Sequence, residues 1–214
     1  VLKVTILYDN TTCRSDLTAD WGFACLVEAY GKTILFDTGA KGPILLDNMK
    51  KLNIDPSSIE DVVISHGHWD HTGGLVDFLQ KFNDVRLFVP SSFAVPPHAA
   101  REVISVHKSI EIADNIYSTG ELKGIEQSLV VTTESGVATI VGCSHPGVKE
   151  IVNSASIHGN VFALIGGLHG FNEFGIVKNM GLVCATHCTQ HIPEIRSLYP
   201  EIFVEGGAGR LIEL

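Results

Sequence analysis

No stretch of the sequence holds about 18 consecutive apolar residues, so nothing in it reads as a membrane-spanning helix. The opening VLKVTILYDN carries no signal-peptide pattern and reads as a first strand. No C-x-x-C pair occurs: Cys13, Cys25, Cys143, Cys184 and Cys188 are odd in number and irregular in spacing, which predicts a reduced, cytoplasmic protein. Basic residues are few, 15 Lys and Arg against 24 Asp and Glu, and the net charge of −9 argues against nucleic acid as a partner. Charged residues make up only 18% and apolar ones 45%, which excludes a disordered chain. There is no internal repeat and no low-complexity segment. At 214 residues the chain is expected to form one domain, residues 1–214.

What is present is a succession of short apolar segments broken by glycine. Strands are predicted over Val1–Tyr8, Gly22–Ala29, Thr33–Phe36, Asp61–Ser65, Val85–Val89, Leu129–Thr133, Val137–Val141, Val161–Ile165, Gly181–Ala185 and Arg210–Leu214. Hairpin turns fall at Tyr30-Gly31-Lys32 and Glu134-Ser135-Gly136. Helices are predicted from Pro43 to about Leu52, over Gly73–Phe82, over Pro146–Ile157 and over Ile192–Tyr199. From Pro90 to Ser109 no period holds, and Pro90, Pro96 and Pro97 suggest a long loop with at most a turn or two of helix. The second half of the chain then starts near Gly120. Hairpins joined to helices predict a layered α/β protein, two mixed sheets back to back with helices outside.

Ten histidines are unusual, because several cluster. Residues 65–74 read SHGHWDHTGG, placing His66, His68, Asp70 and His71 between a strand and a helix. Three imidazoles and a carboxylate packed so closely would be costly to bury without a partner, and a divalent metal is the natural one. The H-x-H pair can point two imidazoles at one ion and the following D-H can address a second. The plainer alternative is a solvated turn with Asp70 or Thr72 capping the helix. His145, His169 and His187 each follow a predicted strand and are flanked by small residues, so they can converge on one edge of a sandwich. Cys143 beside His145 reads as a packed thiol and Cys188 beside His187 as a weaker ligand candidate. Asp9 and Asn10 end the first strand, where an Asx-turn and a place in the cleft weigh equally. His98, His107, His158 and His191 are expected to face solvent, and Gly206–Gly209 to form a turn rather than a phosphate cradle.

HGHWDH at 66–71, ILFDTG at 34–39 and the order of the later histidines resemble the metallo-β-lactamase superfamily over essentially the whole chain. DNTT at 9–12, GCSHPG at 142–147 and THCT at 186–189 are similar to a subgroup often labelled 7,8-dihydropterin-6-yl-methyl-4-(β-D-ribofuranosyl)aminobenzene 5′-phosphate synthase, a methanopterin-pathway transferase. The resemblance implies a four-layer αββα sandwich with two metals, usually Zn2+ with Mn2+ or Fe as alternatives. Carried over, His66, His68 and His145 would hold one ion, and Asp70, His71 and His187 the other. Asp37 would orient ligands, Asp70 would also handle the proton of the attacking water, and Asp9 and Asn10 would lie near the cleft.

The sequence departs from the superfamily at two places: the stretch from His169 to His187 is short, so a helix usual there is expected to be truncated, and where a bridging aspartate is usual it reads GGLH, with His169. An imidazole there can serve one metal or neither, or line the cleft, but cannot bridge two ions with a shared oxygen. The expected function is a metal-dependent hydrolase or transferase acting on a small phosphorylated or ester substrate through a metal-activated hydroxide. An iron oxidoreductase handling oxygen or sulfur species and a non-catalytic, metal-stabilised binding module are the alternatives. His68 stands where diiron relatives tend to carry glutamate, which favours hydrolysis. A small-molecule partner is expected, no membrane, and a homo-oligomer is left open.

Overall fold

Both faces of most strands in this protein are apolar, and a sheet of such strands must be covered on both sides. The computed structural model, which describes residues 1–214, does this with four layers. The first sheet contains β1 (Lys3–Tyr8), β2 (Ala24–Ala29), β3 (Lys32–Phe36), β4 (Asp61–Val63), β5 (Arg86–Pro90) and β6 (Glu102–Val106). The second contains β7 (Ile110–Ala113), β8 (Ile116–Ser118), β9 (Leu129–Thr133), β10 (Gly136–Val141), β11 (Val161–Gly167) and β12 (Leu182–Thr186). The last strand, β13 (Leu211–Glu213), returns to the first sheet, whose order is β13-β1-β2-β3-β4-β5-β6; the second runs β12-β11-β10-β9-β8-β7. Each sheet is mixed. Pairings β1–β13, β1–β2 and β2–β3 are antiparallel and β3–β4–β5–β6 parallel; in the second sheet only β10–β11–β12 are parallel.

The strand period of two sorts the side chains into three apolar layers. On β2, Cys25 and Val27 turn to the partner sheet, where they meet Leu129, Val131, Ile140 and Ile165. Ala24 and Leu26 turn outward to Leu45 and Met49 of α1 (Gly42–Lys51) and Phe78 of α3 (Leu75–Leu79). On the far side Val137, Val141 and Leu164 pack against Val148 and Ile151 of α4 (Val148–Ala155) and Ile195 of α5 (Ile192–Leu198). Pro43 sits in the first turn of α1, where a missing N–H costs nothing, and Lys50 and Lys51 close its last turn. Tyr30 and Gly31, both with positive φ (53° and 74°), form the tight β2–β3 hairpin. No helix is long and apolar enough to cross a membrane.

Three local expectations are corrected. The stretch 90–109 is not all loop: β6 lies in it, parallel to β5. The second sheet begins at Ile110, ahead of Gly120. The helix predicted over 73–82 is short, α3 over Leu75–Leu79 only, and a separate turn of helix, α2 (Trp69–Thr72), precedes it within the histidine-rich segment expected to be loop.

Candidate metal centre

The residues singled out in the sequence follow the carboxyl ends of strands at one edge of the sandwich, where open sheets leave crevices. Asp9 and Asn10 follow β1, Asp37 follows β3, and Ser65 to His71 follow β4. Cys143 and His145 follow β10, His169 follows β11, and His187 follows β12. Asp37 (φ 59°), Ser144 (φ 59°), His169 (φ 47°) and His187 (φ 53°) take the left-handed backbone that non-glycine residues avoid, the kind of strain that collects at functional sites.

The donor atoms converge in overlapping groups whose members lie within 4.8 Å of one another: His66, His68 and His145; Asp70, His71 and His187; His66, His71 and Cys143; Cys143, His187 and Cys188. The hydrogen-bond network fixes the rings' tautomers. Asp37, fully buried, accepts from the Ser65 N–H at Oδ1 and from the Ser65 hydroxyl at Oδ2, each at 2.7 Å. The same Oδ2 is 2.7 Å from His71 Nδ1, which therefore carries the proton. With its own hydrogen committed to Asp37, Ser65 Oγ accepts from His66 Nδ1 at 2.9 Å. Asn10 Oδ1 lies 3.0 Å from His187 Nδ1 and accepts its proton, while Asn10 Nδ2 donates to the His187 carbonyl at 2.9 Å.

These assignments leave His66, His71 and His187 with bare Nε2 lone pairs directed inward. His71 Nε2 and His187 Nε2 face each other at 3.2 Å, and His66 Nε2 is 3.1 Å from His68 Nδ1. The opposed lone pairs of His71 and His187 repel at 3.2 Å unless a cation lies between them, whereas His68 Nδ1 can meet His66 Nε2 as a lone pair or as a donor. His145 Nε2 is buried and has no hydrogen-bond partner, a costly state without a ligand bond. The residues present therefore fit a pair of divalent ions.

Electrostatics agree. Burial and the neighbouring imidazoles hold His66 far below the ordinary imidazole range, and burial with His68 and His169 pushes His145 down to about 4. Both rings are neutral, as ligands must be. Burial would depress His71 too, but the Asp37 and Asp70 carboxylates outweigh it and raise its pKa. Burial would raise Asp70; its hydrogen bond with His187 and the nearby imidazole charges win, leaving it well below the carboxylate range. Asp70 Oδ2 also accepts from Trp21 Nε1 at 2.9 Å.

Sequence reasoning missed Glu126. Its fully buried carboxylate accepts the N–H groups of Gly142, Cys143 and Ser144 at Oε1 (3.1, 2.9 and 3.0 Å) and of His145 at Oε2 (2.9 Å). Burial lifts its pKa, and the N–H groups of His145, Cys143 and Ser144 hold back part of that rise. A Cβ on Gly142 would lie 2.2 Å from Ser65 Oγ, so glycine there lets the two ligand loops touch. A lone glutamate in a loop carries no pattern to betray this role.

Some expected residues stand apart. His169 is exposed, its ring centroid 5.0 Å from that of His145, and it belongs to none of the converging groups. The Asp9 carboxylate is buried, bonded to Thr186 Oγ1 and the Asn10 N–H, and belongs to none of the converging groups. His98 and His107 face solvent. His158 and His191 are half-buried rather than exposed, His158 stacked on Tyr117 at 4.0 Å and His191 edge-on to Phe174 at 5.9 Å.

The chain is 29% identical to 7,8-dihydropterin-6-methyl-4-(beta-D-ribofuranosyl)-aminobenzene-5′-phosphate synthase of Methanocaldococcus jannaschii, with 98% of this chain and 95% of that protein aligned. It superposes with a TM-score of 0.80 and 25% identity on Tm1679, described as a metal-dependent hydrolase of the beta-lactamase superfamily, covering 100% of this chain and 99% of that one. The metallo-beta-lactamase fold protein YhfI from Bacillus subtilis shares the fold at a TM-score of 0.73 and 13% identity, over 100% and 99% of the two chains. The sequence pattern defining the metallo-beta-lactamase superfamily matches residues 21–168, well over half of the chain, and the protein belongs to that superfamily.

Proposed function

We propose that this protein is a two-metal hydrolase or transferase, using zinc, that acts on a small phosphorylated or ester substrate. One observation carries the reading: two triads of donors, His66–His68–His145 and Asp70–His71–His187, stand side by side, with the bare Nε2 atoms of His71 and His187 3.2 Å apart. His66, His68 and His145 would hold one ion, and Asp70, His71 and His187 the other. Bound there, a divalent pair supplies Lewis acidity toward water and toward a phosphoryl or carbonyl oxygen.

The chain's own residues do the rest. Trp21 fixes Asp70 Oδ2 from one side, and His187 Nε2 lies 3.4 Å away on the other. That carboxylate takes up the proton of the attacking water. Asp37 and Ser65 keep His71 and His66 in the ligating tautomer. Beside His145 an open cavity of about 230 Å³, lined by His169, Gly147, Phe171 and Asn172 among others, gives a small substrate room next to the ions. A larger cavity of about 340 Å³ lies at the other ends of β3–β5, among Arg86–Asp61 and Lys32–Glu60 pairs that already satisfy one another. Kinship with a synthase whose named product is a phosphate ester supports a phosphorylated substrate.

The test is elemental analysis of protein purified without added metal, followed by a panel of phosphodiesters, lactones, thioesters and pterin precursors. Two zinc equivalents and chelator-sensitive turnover, restored by zinc or manganese, are expected. Full activity in exhaustively demetallated protein refutes the reading, and iron in place of zinc moves it to the oxidoreductase class.

A further inference from the structure

We propose that Cys143 is a metal ligand: its Sγ joins the ring nitrogens of His71 and His187 and supplies the centre with a second negative charge beside Asp70. This rests on the reading of the centre as a metal pair and adds a residue to it. In the sequence Cys143 reads as a packed thiol, but its surroundings are not those of one. The side chain is 3% exposed, and its sulfur points into the ring nitrogens, 3.2 Å from His71 Nε2.

The spacing of the donors is the stronger argument. Tetrahedral zinc takes nitrogen at about 2.0–2.1 Å, oxygen at about 2.0–2.2 Å and sulfur at about 2.3 Å, so neighbouring ligand atoms lie about 3.3–3.6 Å apart. Here His71 Nε2 and His187 Nε2 are 3.2 Å apart, His71 Nε2 and Cys143 Sγ 3.2 Å, His187 Nε2 and Asp70 Oδ2 3.4 Å, and His71 Nε2 and Asp70 Oδ2 3.9 Å. Cys143 Sγ is also within 4.8 Å of the donor atoms of His66 and of His187. The sulfur thus occupies the strip between the two triads.

Chemistry gives the site a use for it. Of the six residues in the two triads only Asp70 is an anion, too little charge for two dications. GGLH brings no carboxylate, and His169 stays beside His145. A thiolate at Cys143 makes good part of that deficit. The loop is built to hold it still: Glu126 Oε1 grips the N–H groups of Gly142, Cys143 and Ser144 together. On binding, the S–H proton leaves to solvent and a sulfur lone pair goes to the ion, with no change of oxidation state. In the metal-free protein an S–H hydrogen bond to His71 Nε2 gives the same 3.2 Å contact, so the decisive measurement must be made with metal bound.

Demetallated protein is titrated with Co2+ and followed by absorbance. A thiolate-to-cobalt charge-transfer band in the near ultraviolet is expected, lost in Cys143→Ser and retained in Cys188→Ser. Zinc competition against a chromophoric chelator should show the affinity of one equivalent reduced at least about 10-fold in Cys143→Ser, in line with lesser changes around metal sites. Zinc-edge X-ray absorption on the unaltered protein, which needs no variant to fold, should show a sulfur neighbour at about 2.3 Å. Two cobalt equivalents with visible d–d bands but no charge transfer would overturn the proposal and leave the metal pair standing. A band that survives Cys143→Ser and vanishes in Cys188→Ser assigns the sulfur to Cys188 and also overturns it. No cobalt uptake refutes both.

Discussion

Replacing Asp37 by Asn is the sharpest probe of how this centre is organised. Asparagine keeps the size and tolerates the left-handed backbone that Asp37 adopts (φ 59°), so the change removes charge and one acceptor rather than the fold. If the amide nitrogen takes the place of Oδ2, it faces His71 Nδ1–H and the Ser65 hydroxyl, both of which donate to that oxygen. If it takes the place of Oδ1, it faces the Ser65 N–H at 2.7 Å. The first arrangement is relieved when His71 moves its proton to Nε2, which turns a ligand atom into a donor aimed at His187 Nε2. Loss of such a partner behind a ligating histidine lowers metal affinity about 10- to 100-fold, or about 1.4–2.8 kcal/mol.

The pH dependence has a definite sign. Asp37 and Asp70 raise His71 above its ordinary value of about 6.5, so a proton competes with the metal. Affinity should climb as pH rises from about 6.5 through the raised value, and in Asp37→Asn that window moves down. For the metal-free fold the same pair stabilises fully below about pH 6.5 and loses its contribution as pH rises through the folded pKa. Chelator competition between pH 5 and 9, with circular dichroism as the folding control, is the assay. Equal affinities and superimposable pH profiles for the two proteins would show that Asp37 does not set the His71 tautomer.

Three further outcomes follow from the same geometry. Asp70→Asn should fold normally and lose about 10²- to 10⁴-fold in kcat, the range for a positioned proton acceptor; unchanged kcat and metal content refute the assignment. Glu126→Ala strands four backbone N–H groups in a buried loop, each worth about 1–3 kcal/mol if unsatisfied. A loss of at least about 3 kcal/mol in urea unfolding is expected, and a loss below about 1 kcal/mol would mean water replaces the carboxylate. His169→Ala should retain both metal equivalents while raising KM, because the ring lines the cavity rather than joining the converging donors; loss of an equivalent would make His169 a ligand.

The strands with two buried faces were legible because nearly every residue in them is apolar, as in LVV of β9 and FALI of β11. Two edge strands, β6 and β7, were not, although β12 and β13 at the opposite edges were. Glu102–Val106 is exposed or half-buried at four of its five positions, so it lacks the alternation that identifies a strand, and the prolines before it suggest only loop. Ile110–Ala113, at the far edge of the second sheet, is buried only at Ile112. The candidate site followed the same rule. His66, His68, Asp70 and His71 are close in sequence and announce themselves. Glu126 and Cys143 act through what lies opposite them in space, 16 to 19 residues and 72 residues away along the chain.

The pairing of β13 with β1 bears on how such a protein comes to be made. Leu211 to Glu213 lie beside Lys3 to Thr5, and Gly209 N–H is held by the Ile6 carbonyl at 2.8 Å, so the first sheet is not finished until residues far downstream of its first strand have been made. Contacts of such sequence separation form slowly. Until residue 187 emerges, the HGHWDH loop has only part of its ligand set and none of the Asn10–His187 bonds. A chain that has emerged only part-way therefore presents a partial, open chelating site, and on the two-metal reading ion capture waits until His187 has joined it. Expression in metal-poor medium should then yield folded protein that loads on later addition of zinc, whereas a chain that needed the ion to fold would be recovered insoluble.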